Sequence, residues 1–446
     1  MAHRRFVHSA GVRDGHSEAR RVTTYAFPDA FAAMSYAAVF TVGALIAMRR
    51  PVYAVALLIV VQPFAIYGDV WVTTVTLPKA TLLGVLLGLA IRSGALRPFA
   101  SPGPRAIFIA GVLLVAATLL TVAHAAYYAP VARETLKTVE YVLLFVAIVC
   151  AYRLDPDAVV VRNACVAVAI VVALLALSQE FYGATSSLRI NGHEMPRVAG
   201  PLEGPNQLAG YFDVAIPLIF ALAIDSPSIV IQATLFLIVL ADVLTFSRGG
   251  ALGAVAGVLA VALTYRRHVT KPLSFMAAGL LAGIGAAGLL AHSLAMFRLW
   301  DFSDSPYAGG VGTRSKLWHA AFALWRQHPV FGVGAGNFEL EIPLTGLRGV
   351  RTHANSLYLQ SLVEGGIPLF AATVWLAYVS IATFARDRLR SPFIVAAFAA
   401  SIALGLHQVV DLLVFYPKVG GWWWIVLGLG AAQLVAPARA TEPACA

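Results

Sequence analysis

The chain has 446 residues, 59% of them hydrophobic and 12% charged, with a formal net charge of +10 and a mean hydropathy of +0.79. A soluble globular chain carries about a quarter of its residues as charges, so this composition excludes that class. Nucleic-acid binding is disfavoured as well, because the basic residues lie between apolar runs and form no separate basic domain.

Taken in chain order, the first 26 residues are polar and basic and read as a cytoplasmic or disordered leader within a tail over 1–29. Arg4-Arg5 is not followed closely by an apolar stretch, so it matches a twin-arginine signal poorly. Apolar runs then occupy roughly 30–48, 52–68, 76–92, 106–125, 135–152, 158–179, 206–224, 228–246, 249–265, 272–294, 354–383, 392–415 and 421–437. Such lengths approach the ~20 residues a helix needs to cross a bilayer. No ~10-residue alternating segments of a membrane barrel occur. The expected fold class is an all-α polytopic membrane protein.

Arginine and lysine in the short loops 92–105, 265–271 and 384–391 mark those loops as cytoplasmic. Alternation then puts 180–205, 246–249 and 295–353 on the outer side. Thirteen runs would leave the basic N-terminal tail outside. The first two are short and separated only by Arg49-Arg50-Pro51, so one of them is expected not to span, which gives about twelve transmembrane helices with both ends inside. The expected organisation is a tail over 1–29, transmembrane helices with short loops over 30–294, one long outer loop over 295–353, transmembrane helices over 354–437 and a cytoplasmic tail over 438–446.

The long loop is the natural place for function. Within it Thr313–His328 has a helical pattern, with Leu317, Ala320, Ala321, Leu324 and Trp325 on one side, Thr313 as a cap and Pro329 as a stop. This helix is expected at the membrane interface with its apolar side down. A glycine-rich turn, Phe331–Phe338, follows it. Cys150, Cys165 and Cys445 lack metal-ligand spacing, so neither a disulfide framework nor a metal site is expected.

The outer loops are rich in arginine: Arg189 and Arg197, then Arg248, then Arg298, Arg314, Arg326, Arg348 and Arg351. The guanidinium presents a planar fork of donors that fits phosphate oxygens, and several of them above a membrane suit a lipid-linked pyrophosphate. Solvated loop charge or pairing with lipid headgroups explains a lone arginine as well. Arg248 stands apart, because Ser247-Arg248-Gly249-Gly250 joins two apolar runs with almost no loop.

His353 precedes the next apolar run, and histidine is the usual general base near neutral pH. With Gln360 and Glu364 it is spaced to share one helical face. An acid inside a span is a functional candidate; the plainer reading makes His353 an interface residue and Glu364 the buried partner of an arginine. Pro201–Ala209 reads as a tight turn in which Asn206 can cap the following helix. His407 and Asp411 are one turn apart and within reach of a mutual hydrogen bond. A Walker loop, a dinucleotide fingerprint and an acidic pair for a divalent metal are all missing, so nucleotide-dependent readings lose ground.

In this order, the Gly200–Ala209 turn with Pro205-Asn206, Leu244–Gly249, Arg314, Gly332–Phe338, His353-Ala354-Asn355-Ser356 with Glu364-Gly365-Gly366, and His407 with Asp411 resemble the O-antigen ligase and polymerase superfamily of bacterial envelope enzymes. The resemblance covers about 180–435. Ala354 stands where many members carry asparagine directly after the histidine; here Asn355 follows one residue later.

The resemblance implies a GT-C-like glycosyltransferase of the bacterial inner membrane with its site facing the periplasm. It implies a glycan donor on undecaprenyl pyrophosphate, a lipid A–core sugar hydroxyl as acceptor, contact with membrane lipids, and neither metal nor nucleotide cofactor. Joined to the residue reading, it makes His353, Arg248 and Arg314 the expected catalytic residues. Arg189 or Arg197, Asn206, Arg351, Asn355 and Glu364 are expected to bind pyrophosphate or glycan. The single long loop just before His353 favours a ligase over a polymerase, and the short tail expected after 437 favours it over a protein O-oligosaccharyltransferase, whose relatives often extend past the last span with an extra domain. A transporter of an anion or lipid-linked glycan is the alternative from another class; it would place its charges near the bilayer midplane and show an internal repeat.

Overall fold

A computed structural model describes residues 29–434 apart from 65–66, 71–72, 94–100, 183–185, 191–192, 267–268, 292–310, 348–349 and 351. The apolar runs form helices α1 (Asp29–Arg49), α2 (Pro51–Val61), α3 (Leu77–Ser93), α4 (Pro102–Leu120), α5 (Tyr128–Leu154), α6 (Ala158–Tyr182), α7 (Pro205–Asp225), α8 (Ile229–Val243), α9 (Arg248–Tyr265) and α10 (Thr270–Ala291). The long loop contributes α11 (Val311–Gln327), and α12 (Leu357–Ala385), α13 (Pro392–His407) and α14 (Pro417–Gln433) complete the bundle. Two short antiparallel hairpins interrupt the helices: β1 (Tyr67–Val70) with β2 (Thr73–Thr76), and β3 (Ser186–Ile190) with β4 (His193–Arg197). Arg189 stands opposite Glu194 in the second.

Helix starts follow local chemistry. Proline occupies the first turn of α2, α4, α7, α13 and α14, where its missing N–H would be unpaired anyway. Serine caps α8, α9, α12 and α13, with Ser228, Ser247, Ser356 and Ser391 each accepting a bond from a first-turn N–H.

Among the described residues six helices are long and apolar enough to cross a membrane, and α2 and α8 are among the shorter apolar ones. At 11 residues α2 falls short of a span. α7 and α14 are buried along nearly their whole length and form the inside of the bundle. Around them α4, α9 and α10 expose Leu113, Leu252, Leu259 and Leu281, an apolar surface that only lipid covers favourably. The protein is a multi-pass membrane protein.

At one end of the bundle Arg50 pairs with Asp155 at 2.9 Å, and Arg92 donates to the carbonyls of Met48 and Arg49. At the other end, Thr121 accepts from Ala335 N, Asn337 exchanges two bonds with Tyr127 and Gln179 bonds the Ala199–Gly200 backbone. Arg197 of the second hairpin, Thr245 just before α9, and Arg314 of the long loop with Asp411 also come together at one end.

The loop helix differs from expectation in two ways. It begins at Val311, so Thr313 lies inside it and is not its cap. Its apolar side also does not face lipid: Leu317, Ala321 and Leu324 are buried with Val333, Phe338, Ile342, Leu359 and Val363. The loop has a small core of its own, built onto the first turns of α12.

α12 is broken at Gly366, whose φ of 60° and ψ of −154° suit glycine alone. Pro368 brings no N–H, so Glu364 O lacks its helical donor, and Ile367 N donates instead to Pro329 O at 3.3 Å. The glycine turn supplies the deficit: Val333 N donates to Val363 O at 3.0 Å and Gly334 N to Glu364 O at 2.8 Å. A Cβ on Gly366 would stand 2.1 Å from Val330 O, so the approach requires glycine. We predict that Gly366→Ala costs at least about 1–3 kcal/mol from backbone strain alone. The melting temperature of the purified protein in detergent should fall clearly, whereas that of Gly285→Ala, whose Cβ meets nothing within 4 Å, should not.

Candidate functional site

The segment 408–416 joins α13 to α14 and carries contacts on two sides. On one, Asp411 accepts from Asn206 Nδ2 at 2.8 Å, and Asn206 Oδ1 accepts from Arg197 at 2.8 Å. Arg197, buried at 9% exposure, also donates through Nε to Thr245 O at 2.6 Å. One chain of bonds thus ties the β3–β4 hairpin, the end of α8, the start of α7 and the segment after α13. Asn206 is expected to cap α7, but Gly204 holds the cap position and Pro205 the first turn. The Asn206 side chain is spent on the bridge.

Arg248 is the first residue of α9, behind the Ser247 cap and the left-handed Phe246. Arg314 lies on α11, close enough to Arg248 for their charges to repel and to Asp411 for attraction. Burial lowers the pKa of Arg314; Asp411 opposes that shift and Arg248 adds to it. Its Nε is buried without a hydrogen-bond partner among the described residues. A guanidinium stays charged regardless, and a donor left open in a buried site costs about 1–3 kcal/mol until something accepts from it. Asp411 is already committed to Asn206 and to Leu412 N. The arrangement therefore attracts an anion.

On the other side of 408–416, the His353 ring lies 4.3 Å from that of Phe415. Lys137 sits 3.7 Å from the same Phe415 ring, donates to Phe415 O at 2.9 Å and pairs with Glu134 at 2.6 Å. Burial, with the Lys137 charge added, lowers the pKa of His353 to about 4. Its imidazole is neutral at neutral pH and able to take a proton.

The expectation that His353, Gln360 and Glu364 share a helical face is corrected: α12 begins at Leu357, and His353 precedes it in non-helical backbone. The three are linked by a different route. Gln360 Oε1 accepts from Ala354 N at 2.8 Å and Gln360 Nε2 donates to Glu364 at 2.7 Å, while Trp318 Nε1 donates to Ala354 O at 2.9 Å. Glu364 also accepts from Phe338 N at 3.3 Å. Gln360 and Glu364 thus hold the residue beside His353, and Ala354 is fully buried between them and Trp318. Asn355 is left-handed, with φ 49°, a conformation asparagine tolerates better than most residues.

His407 and Asp411 do not pair. α13 ends at His407, whose Nδ1 meets Asp213 of α7 at 2.5 Å, and Asp411 lies beyond in non-helical chain. A Cβ on Gly249 would come 2.5 Å from His407, so this pair braces the start of α9 where Arg248 stands. Arg298, Arg348 and Arg351 fall outside the described residues, as does the side chain of Arg189.

Lys137, Phe415 and Asp213 are missed by the sequence reading. Lys137 follows Glu134 by three positions and Asp213 lies inside α7, so charge within apolar helices was the available signal. Nothing in the sequence marks Phe415.

Asn206→Ala should leave Arg197 and Asp411 each short of a partner, at about 1.5–3 kcal/mol for a bond to a charged group. We expect a lower melting temperature in detergent; an unchanged one would show that the bridge carries no stability.

A comparison with curated proteins finds no match. Residues 233–374 match the family described as O-Antigen ligase. The matched stretch runs from α8 into α12 and takes in Arg248, Arg314, the glycine turn, His353 and Glu364. Over residues 233–374 the chain thus carries a stretch that matches the O-antigen ligase family.

Proposed function

We propose that the protein is an O-antigen ligase that transfers a glycan from undecaprenyl pyrophosphate to a sugar hydroxyl of lipid A–core. It would be a GT-C-like enzyme of about twelve spans, acting at the periplasmic face of the bacterial inner membrane. One observation carries this reading. Arg314, with its buried open Nε, stands with Arg248 on one side of the segment 408–416, and the neutral His353 stands on the other.

In this reading His353 takes the proton from the acceptor hydroxyl. The hydroxyl oxygen attacks the anomeric carbon from the face opposite the leaving group. The bond from that carbon to the pyrophosphate oxygen breaks with inversion, and its electron pair leaves on the pyrophosphate. Arg248 and Arg314 stabilise the growing negative charge. Arg189 and Arg351 are proposed to assist at the pyrophosphate or glycan, and Asn355 to meet the sugar. Arg197, Asn206 and Glu364 act by positioning, since each is hydrogen-bonded to protein groups. The reaction as written uses no metal and no nucleotide.

A preorganised donor at a developing oxyanion is worth about 2.7–4 kcal/mol. Arg248→Ala or Arg314→Ala should therefore lower turnover roughly a hundredfold or more. The assay is ligation in a strain lacking its own ligase, read as the long glycan ladder on a lipopolysaccharide gel at equal membrane levels of protein. Wild type should restore the ladder and His353→Ala should not. Failure of wild type with its native donor and core supplied overturns the reading.

The pH profile is a further check. A base with its pKa lowered to about 4 is neutral above that pH and protonated below it. The acid limb of kcat/KM should fall near pH 4, not near the 6.5 of a free imidazole. A limb at 6.5 would remove His353 from the role of base.

A further inference from the structure

Lys137 lies in the apolar helix α5 with its side chain only 13% exposed. A lysine inside a span is costly and is a functional candidate, yet the transfer reaction as written does not use it. Two of its contacts tie the fold together. Nζ pairs with Glu134 at 2.6 Å and donates to Phe415 O at 2.9 Å. An uncharged donor would serve that carbonyl as well. The third contact needs the charge. Nζ stands 3.7 Å from the centre of the Phe415 ring, within the range of a cation–π interaction.

The His353 ring lies 4.3 Å from the same Phe415 ring, tilted by 52°. One aromatic ring therefore contacts both the ammonium and the imidazole. Protonating His353 would bring a second cation to a ring already engaged by the first. The elements around His353 carry Glu134 and Lys137 on α5, Arg314 on α11, Glu364 on α12, and Asp411 and Tyr416 on 408–416. Glu364 is held by Gln360 and Phe338 N, and Asp411 by Asn206 and Leu412 N. Among the described residues it is the Lys137 charge that acts on the imidazole, and its pairing with Glu134 does not cancel it.

An anion held by Arg248 and Arg314 would act in the opposite direction. Negative charge near a histidine favours its protonated form, and a protonated His353 takes no proton from an acceptor. A site that joins anion binding to a histidine base therefore needs a fixed positive charge beside the histidine. We propose that Lys137 is a positioning residue acting through His353: its ammonium, set on the Phe415 ring, keeps the imidazole uncharged while an anion occupies the arginines. The role of His353 as base rests on the ligase reading; the arrangement of Lys137, Phe415 and His353 does not.

The test compares wild type with Lys137→Gln, which keeps a donor for Phe415 O and loses the charge, and with Lys137→Arg, which keeps the charge. Full-length protein in nanodiscs is held in deuterated buffer over a range of pH. Exchange at the imidazole C2 carbon is read by mass spectrometry on the peptide carrying His353, which follows the ring's titration without any turnover. Wild type should titrate near 4, where burial and the Lys137 charge hold it below the usual 6.5. Removing a positive neighbour favours the protonated ring, so Lys137→Gln should move the midpoint upward by about one pH unit. Lys137→Arg should leave it in place. In the ligation assay the acid limb of kcat, which reports the enzyme with substrate bound, should move with the midpoint. Should Lys137→Gln fail to insert, Glu134→Gln combined with Lys137→Gln removes both charges and should give the same upward shift.

An unmoved midpoint in Lys137→Gln overturns the proposal, as does an equal shift in Lys137→Arg. Turnover lost evenly at every pH, with the acid limb in place, makes Lys137 a structural residue and overturns it too. If wild type transfers nothing, the ligase reading fails, and the exchange midpoints alone decide whether Lys137 controls the charge of His353.

Discussion

Two carbonyls at the break in α12 govern how the loop carrying α11 sits. Gly366 leaves the helix and Pro368 carries no N–H, so Val363 O and Glu364 O are deprived of helical donors. A buried carbonyl without a partner is costly, and Val333 N and Gly334 N meet both. From this point Phe338, Ala354 and Trp318 are fixed in register. The Glu364 carboxylate receives Phe338 N and holds Gln360. Gln360 holds Ala354, and Trp318 of α11 closes the circuit on Ala354 O. His353 and Arg314 are thus placed relative to each other by hydrogen bonds rather than by apolar packing alone.

The second organising element is the segment 408–416. It is short and non-helical, and it separates a fully paired charge system from an incompletely paired one. Lys137 on one side is satisfied by Glu134 and Phe415. On the other, Asp411 serves Asn206 and its own turn, while Arg314 keeps an open donor and repels Arg248. A few residues of backbone keep the neutral His353 ring apart from the cationic pair Arg248 and Arg314.

Much of this was legible in the sequence. The apolar runs, the loop helix and its stop at Pro329, and the Gly332–Phe338 turn followed from composition and from proline and glycine chemistry. So did the proximity of Arg248 to the bundle end. The contacts of individual polar side chains were not legible. Asn206 looked like a cap because the residue type suits one, but Pro205 had taken that turn and freed the amide for Asp411. His353, Gln360 and Glu364 looked like a helical face because Ser356 had not been recognised as the cap that starts α12 after the histidine. His407 found Asp213, nearly two hundred residues away in sequence. Periodicity reads local geometry, and each of these partners is set by long-range packing.

The lock between the glycine turn and α12 consists of main-chain hydrogen bonds, and this has a consequence for how such a protein can diversify. Main-chain bonds carry no information about side chains, provided glycine remains where the chains approach. The exposed Pro343, Leu344 and Gly346 are then released from duty in holding the loop. On the ligase reading, that surface can drift over evolutionary time to suit a new glycan while Arg314 and His353 stay in place. Innovation in what is recognised is uncoupled from preservation of how it is reacted.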